Sequence, residues 1–137
     1  MTQGETAGCK VTLSGLSVLV VEDEAIVSIL VESMLQDLGC GDIWYASGVE
    51  EALGILAERT PDVAVLDVNL AGEPAYPVAR QLTSAAVRFV CASGYGADGI
   101  HKDWAGHPVI QKPFHCDMLA RALATALGDR KGPDLSR

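Results

Sequence analysis

The sequence predicts an α/β domain built on an open parallel sheet covered by helices on both faces. Three observations carry that expectation: apolar runs without polar alternation recur along the chain, amphipathic stretches at helical spacing separate them, and the runs end at charged or hydroxyl residues. The length of 137 residues suits one domain with a substantial core and is too short for two.

Residues 1–15 are polar and rich in Gly and Thr and are expected to form a loose N-terminal segment, followed by the domain at 16–128 and a loose tail at 129–137. Val18-Leu19-Val20-Val21 is a β-branched run suited to a strand buried on both faces, and it stops at three acids, Glu22, Asp23 and Glu24. Ile26, Ile29, Leu30, Met34 and Leu38 then recur at helical spacing up to Gly39, a C-terminal stop. Ile43–Ala46 reads as a second strand. Ser47 followed by Glu50 has capping-box spacing and opens a helix over about 48–59, which Thr60-Pro61-Asp62 breaks. Val63–Leu66 is a third buried strand ending at Asp67, Tyr76–Leu82 a short helix with Pro77 in its first turn, and Phe89–Ala92 a fourth strand. Residues 94–107 hold four glycines and predict at most an irregular or short fourth helix. Val109–Gln111 is the fifth strand, and Cys116, Leu119, Leu123 and Leu127 mark a last helix closed by Gly128.

Composition narrows the function. Ten Lys and Arg against eighteen Asp and Glu give a net charge of −8, which disfavours nucleic acid and acidic lipid surfaces as partners. The apolar runs are too short to cross a bilayer, and no basic-then-apolar leader opens the chain, so the expectation is a cytoplasmic protein. Cys9, Cys40, Cys91 and Cys116 are scattered and read as buried or incidental thiols rather than a zinc site or disulfide framework. His101, His107 and His115 lack metal-ligand spacing and read as surface or capping residues, and Trp44, Tyr45 and Trp104 as core or interface aromatics. Acids occupy the turn after the first strand, where a phosphate-binding loop would need glycines.

In an open parallel sheet, sites form at the carboxyl ends of the strands. Glu22 and Asp23 end strand one, Asp67 strand three, Ser93 strand four and Lys112 strand five. Singly, each has an ordinary explanation as a cap, a turn residue or a solvated charge. Together they form an acidic pocket: carboxylates about 4 Å apart repel by roughly 4 kcal/mol at an effective dielectric of 20, so such a cluster binds a proton or a cation. Hard oxygen ligands favour Mg²⁺, which accepts phosphate oxygens as further ligands. Pro113 holds Lys112 extended, its ammonium available to a carboxylate or phosphoryl oxygen.

Val-Leu-Val-Val-Glu22-Asp23-Glu24, Val-Ala-Val-Leu-Asp67-Val-Asn69, Ala92-Ser93-Gly94-Tyr95 and Gln-Lys112-Pro113-Phe114 together resemble the receiver domain of bacterial two-component response regulators, over about residues 16–128. The resemblance implies a flavodoxin-like (βα)5 sheet of order 2-1-3-4-5. It makes Asp67 the phosphoacceptor, Asp23 the main Mg²⁺ carboxylate with Glu22 acting through water, and Asn69 the source of a backbone carbonyl to the metal. Ser93 and Lys112 become the groups that close on the phosphoryl oxygens. The phosphodonor it implies is a phosphohistidine on a sensor histidine kinase or a histidine phosphotransfer protein, approaching the first helix. The output would be a contact with a downstream protein, or phosphate relay, from a stand-alone regulator that turns over no external substrate.

The chain departs from the family pattern where many receivers carry Tyr or Phe three residues before the Lys, because Val109 stands there. Cys91-Ala92-Ser93-Gly94-Tyr95-Gly96 resembles the Phe-Ala-Thr-Gly-Tyr motif of one single-domain receiver subfamily. Tyr95 and the glycines after it are therefore expected to act as the switch, with packing of Tyr95 on the last helix as the alternative. Two rival functions are a non-phosphorylated pseudo-receiver that only binds a partner, and a metal-dependent phosphatase. Asp23, Asp67, Ser93 and Lys112 together speak against the first, and Asn69 with Lys112-Pro113 against the second.

Overall fold

The computed structural model describes residues 13–70, 73–94 and 106–131. Five strands form one parallel sheet: β1 (Ser17–Val21), β2 (Asp42–Ala46), β3 (Val63–Asp67), β4 (Arg88–Ser93) and β5 (Val109–Gln111). Their spatial order is β2-β1-β3-β4-β5, the 2-1-3-4-5 order that periodicity alone could not supply. Helices α1 (Ala25–Asp37), α2 (Val49–Glu58), α3 (Tyr76–Ser84) and α4 (Cys116–Lys131) flank it. No helix among the described residues is long and apolar enough to cross a membrane.

Uniformly apolar strands conceal a period of two. Val18 and Val20 of β1, with Val63 and Val65 of β3, pack against Val31 and Leu35 of α1 and Leu119 and Leu123 of α4. The intervening Leu19, Val21, Ala64 and Leu66 turn to the other face, where α2 and α3 contribute Ala52, Val78 and Leu82. Asp62 fixes the start of β3 against β1: its carboxylate accepts from the Ser17 backbone N–H at 2.8 Å and from the Ser17 hydroxyl at 3.1 Å. The residue expected only to break a helix thus also ties two strands together.

Two helix ends follow the same rule with different residues. Gly39, at φ +89°, follows α1; its N–H bonds the Gln36 carbonyl at 3.0 Å and the Cys40 N–H bonds the Leu35 carbonyl at 3.1 Å, a Schellman closure. After α3 the matching bonds come from Ala86 to Thr83 and from Val87 to Leu82, with Ala86 at φ +62° in the position that favours glycine.

Three local expectations change. Ser47 bonds Glu51 rather than Glu50 and does not cap α2: Gly48 is the N-cap, so Glu51 is the third helical residue, and its carboxylate accepts from the Ser47 N–H at 2.8 Å and hydroxyl at 3.0 Å. These bonds hold the Glu51 carboxyl below its usual range. Gly128 does not end the last helix, which runs on to Lys131 because apolar packing through Ala126 and Leu127 outweighs the modest cost of an interior glycine. His107 is no surface residue; it is half-buried, its ring stacked on Phe89 with centroids 3.8 Å apart. Tyr95, His101, Trp104 and the stretch expected to hold the fourth helix lie outside the described residues, apart from 94 and 106–107.

Candidate functional site at the carboxyl edge of the sheet

The parallel register carries the chemistry-bearing residues to one edge. The Glu22 N–H continues the β1–β2 ladder to the Ala46 carbonyl at 3.0 Å, leaving the Glu22 side chain just past the strand. Asp67 pairs in register with Ala92 of β4, so Ser93 stands one residue further along the neighbouring strand. The Lys112 N–H bonds the Ser93 carbonyl at 2.9 Å and thereby extends β5 beside β4. The Lys112–Pro113 peptide is cis.

Side chains meet where the backbone places them. Lys112 Nζ donates to Asp67 Oδ2 at 3.0 Å and lies 3.1 and 3.2 Å from the two Glu22 oxygens, with Glu24 Oε1 at 3.7 Å. Glu22 and Asp67 are almost fully buried, at 6% and 5% exposure, and Ser93 at 1%. One ammonium cannot neutralise this cluster. Burial, and next the Asp67 charge, push the Glu22 carboxyl up to about 7 against the opposing pull of Lys112. Burial works against the charge on Lys112, but hydrogen bonds and attraction from Asp67 and Glu22 outweigh it and raise the ammonium above its usual value.

Glu22, Asp23 and Asp67 each offer an oxygen within 4.8 Å of the others. Asp23 is the most open to solvent of the three. Three hard oxygen donors around a partly neutralised pocket, open on one side, fit a Mg²⁺ ion that keeps some of its waters. The expected residues therefore assemble: Glu22, Asp67 and Lys112 in direct contact, Asp23 beside them, and Ser93 at the adjoining strand end. Asn69 lies two residues past Asp67 in a two-residue ladder with Glu73–Pro74. Glu24 received no role from the sequence beyond ending a strand; three consecutive acids were the signal that it also reaches the lysine.

The family model for the response regulator receiver domain matches residues 18–124. The chain belongs to that family. This receiver domain is similar to SdrG from Sphingomonas melonis Fr1, whose solution structure matches at 36% identity with a TM-score of 0.74, covering 82% of this chain and 97% of that one. The receiver domain of the sensor histidine kinase PA1611 from Pseudomonas aeruginosa PAO1, solved with a magnesium ion coordinated in its active-site cleft, shares the fold at 22% identity and a TM-score of 0.73, covering 84% and 99% of the two chains. The transcriptional regulatory protein YvrH of Bacillus subtilis (strain 168) is 28% identical over 117 residues, 82% of this chain. This receiver domain spans about half the length of that relative. Receivers bind Mg²⁺ at an acidic site and serve as signalling modules, and this chain carries a cluster of three carboxylates at the matching edge of the sheet.

The other thiols and aromatics have structural settings. Cys91 is buried, and Cys40 and Cys116 are half-buried free thiols. Trp44 is half-buried and carries the Arg59 guanidinium 5.1 Å from its ring centroid.

Proposed function

We propose that Asp67 accepts a phosphoryl group from a phosphohistidine on a sensor histidine kinase or histidine phosphotransfer protein, in a reaction that requires Mg²⁺. The observation that carries this reading is the hydrogen bond from Lys112 to a nearly buried Asp67 inside a group of three carboxylates. A carboxylate is a weak nucleophile, but phosphoryl transfer has a loose transition state with its charge on the equatorial oxygens, so positioning and charge stabilisation are most of the work.

Asp23, Glu22 and Asp67 would hold the metal, Glu22 through water, with the Asn69 carbonyl as a further donor. Mg²⁺ bound there would supply positive charge to offset the carboxylates and the incoming phosphoryl group. An Asp67 oxygen then attacks phosphorus, the P–N bond of the donor breaks, and its electron pair leaves with the imidazole. Lys112, already bonded to Asp67, transfers its hydrogen bond to a phosphoryl oxygen. Ser93, on the adjoining strand, donates to another. The acyl phosphate is later lost to water, so the domain assists its own phosphorylation and dephosphorylation without turning over an external substrate.

The protein donor docks on α1. Ile26, Ile29 and Leu30 are exposed there, and a cavity of about 260 Å³ between α1 and the Lys112–Phe114 turn opens beside the site. Output is a contact with a downstream protein or onward relay, with Tyr95 as the switch in place of an aromatic at Val109.

Intact-mass spectrometry after incubation with acetyl phosphate and Mg²⁺ tests the central step. The wild type gains one phosphoryl group and Asp67→Asn gains none. A wild type that stays unmodified with acetyl phosphate and with every authentic donor would reduce the domain to a partner-binding pseudo-receiver.

A further inference from the structure

Glu24 stands apart from the other acids of the site. It is exposed, outside the three-carboxylate group, and makes no side-chain capping bond to α1 although it occupies the N-cap position. Yet its carboxylate lies 3.7 Å from Lys112 Nζ, the same ammonium that holds Asp67 at 3.0 Å. Sharing that ammonium keeps the Glu24 charge within about 7 Å of Asp67 Oδ2. Glu24 also lines the apolar cavity between α1 and the Lys112–Phe114 turn, with Val27, Leu30, Met34 and Phe114. It therefore sits where the apolar face of α1 meets the acidic site.

From this placement we propose that Glu24 is a specificity-determining residue: its carboxylate charge at the mouth of the site, only partly offset by the ammonium it shares with Glu22 and Asp67, selects against small, highly charged phosphodonors in favour of a phosphoryl group delivered on a protein. The inference rests on the reading of Asp67 as phosphoacceptor. A free dianionic donor must bring its full charge past Glu24 with nothing but the site itself to hold it. A docked protein brings apolar surface to Ile26, Ile29 and Leu30 and meets the same repulsion with binding energy from elsewhere. Glu24 also competes with the arriving phosphoryl oxygens for Lys112, which lowers the rate with every donor alike. The charge filter is the component that distinguishes donors.

Two small donors separate these contributions. Acetyl phosphate is a dianion at neutral pH; attack by Asp67 breaks its P–O bond and acetate leaves with the electron pair. Phosphoramidate carries one net negative charge and the P–N linkage of phosphohistidine; the same attack expels ammonia, the nitrogen being already protonated. Rates of adduct formation are measured by intact mass for wild type, Glu24→Gln and Glu24→Lys, with Mg²⁺ saturating for each protein and Asp67→Asn as the blank. Neither substitution removes the bond from the Glu24 backbone N–H to Glu22 at 3.2 Å, and a thermal melt checks that the fold is kept.

Glu24→Gln should raise the rate with acetyl phosphate about five-fold more than with phosphoramidate, the difference one unit of donor charge makes at that separation in a partly solvated site. Glu24→Lys should enlarge the ratio, and raising salt from about 0.05 to about 0.5 M should shrink it. Equal gains with both donors, no gain, or a ratio indifferent to salt overturns the selectivity role even where Asp67 is modified. No adduct on the wild type from either donor overturns the phosphoacceptor reading and this inference with it.

Discussion

Replacing Lys112 with methionine keeps the apolar stem and removes the charge that Glu22 and Asp67 share. Both carboxylates are nearly buried and offer oxygens within 4.8 Å of each other, so their repulsion at an effective dielectric of 20 is about 3.5 kcal/mol once the ammonium is gone. Solvent reaches the lysine end, at 18% exposure, and relaxation reduces the net loss to about 2 kcal/mol at pH 8. The loss depends on pH with a definite sign. Glu22 has its folded carboxyl raised to about 7, so the folded chain retains a proton that the unfolded chain releases, and stability falls as pH climbs from the usual carboxylate range through about 7. Without Lys112 the Glu22 carboxyl rises further and the decline extends to higher pH. At pH 5 Glu22 is neutral in both folded proteins, and Lys112→Met loses only the pair with Asp67, about 1 kcal/mol.

Urea unfolding of the metal-free proteins at pH 5 and pH 8 reads this directly, with a penalty at pH 8 about twice that at pH 5. Saturating Mg²⁺ adds stability by mass action, about 2.7 kcal/mol at a hundred-fold excess over its dissociation constant, and the gain is larger for Lys112→Met at equal Mg²⁺ because the ammonium no longer opposes the cation. A penalty independent of pH, or greater at pH 5, would refute the assignment of Lys112 as the group that keeps two buried charges together.

Three further outcomes follow from the same structure. A proton on Glu22 removes one of the negative charges that attract Mg²⁺, so apparent affinity by isothermal calorimetry should rise as pH increases through about 7, and Glu22→Gln should bind more weakly with a flatter pH profile. Ala86→Gly should stabilise the fold by about 0.5 to 1 kcal/mol, because the residue at φ +62° pays a left-handed penalty that glycine avoids; a higher midpoint in thermal unfolding checks it. Gly128→Ala should stabilise by up to about 1 kcal/mol, since Gly128 lies inside α4 and an added Cβ meets nothing within 4 Å, and urea unfolding again reads it.

The sequence declared the sheet because β-branched runs buried on both faces cannot be mistaken for solvent-facing strands. It did not declare which residues of Val18–Val21 meet α1 and which meet α3, since a uniformly apolar run conceals its own alternation, nor the strand order, which depends on pairings far apart in the chain. The ends of elements were the weakest part for a related reason. Gly128 and Glu50 satisfied local rules for a stop and a cap, yet Ala126 and Leu127 pack into the core and draw α4 past the glycine, while one residue of offset at Gly48 hands the Ser47 bonds to Glu51. Local rules propose boundaries, and tertiary packing moves them by a residue or a turn.

The acidic site was more legible than the fold around it, and the cause is geometric. Parallel strands share one direction, so residues at the carboxyl ends of separate runs must arrive at the same edge whatever the order of the strands. Glu22, Asp67, Ser93 and Lys112 needed only correct strand ends to be gathered, and those ends were marked by the change from apolar to polar residues. Glu24 escaped because its reach depends on where α1 begins and how a long side chain turns, which no run of apolar residues encodes. What sequence reads well is therefore chemistry placed by strand direction; what it reads poorly is chemistry placed by a loop. On that argument, the residues that hold charge at this site were open to recognition from their order alone, whereas the residue proposed to choose among donors could be found only through its 3.7 Å approach to Lys112.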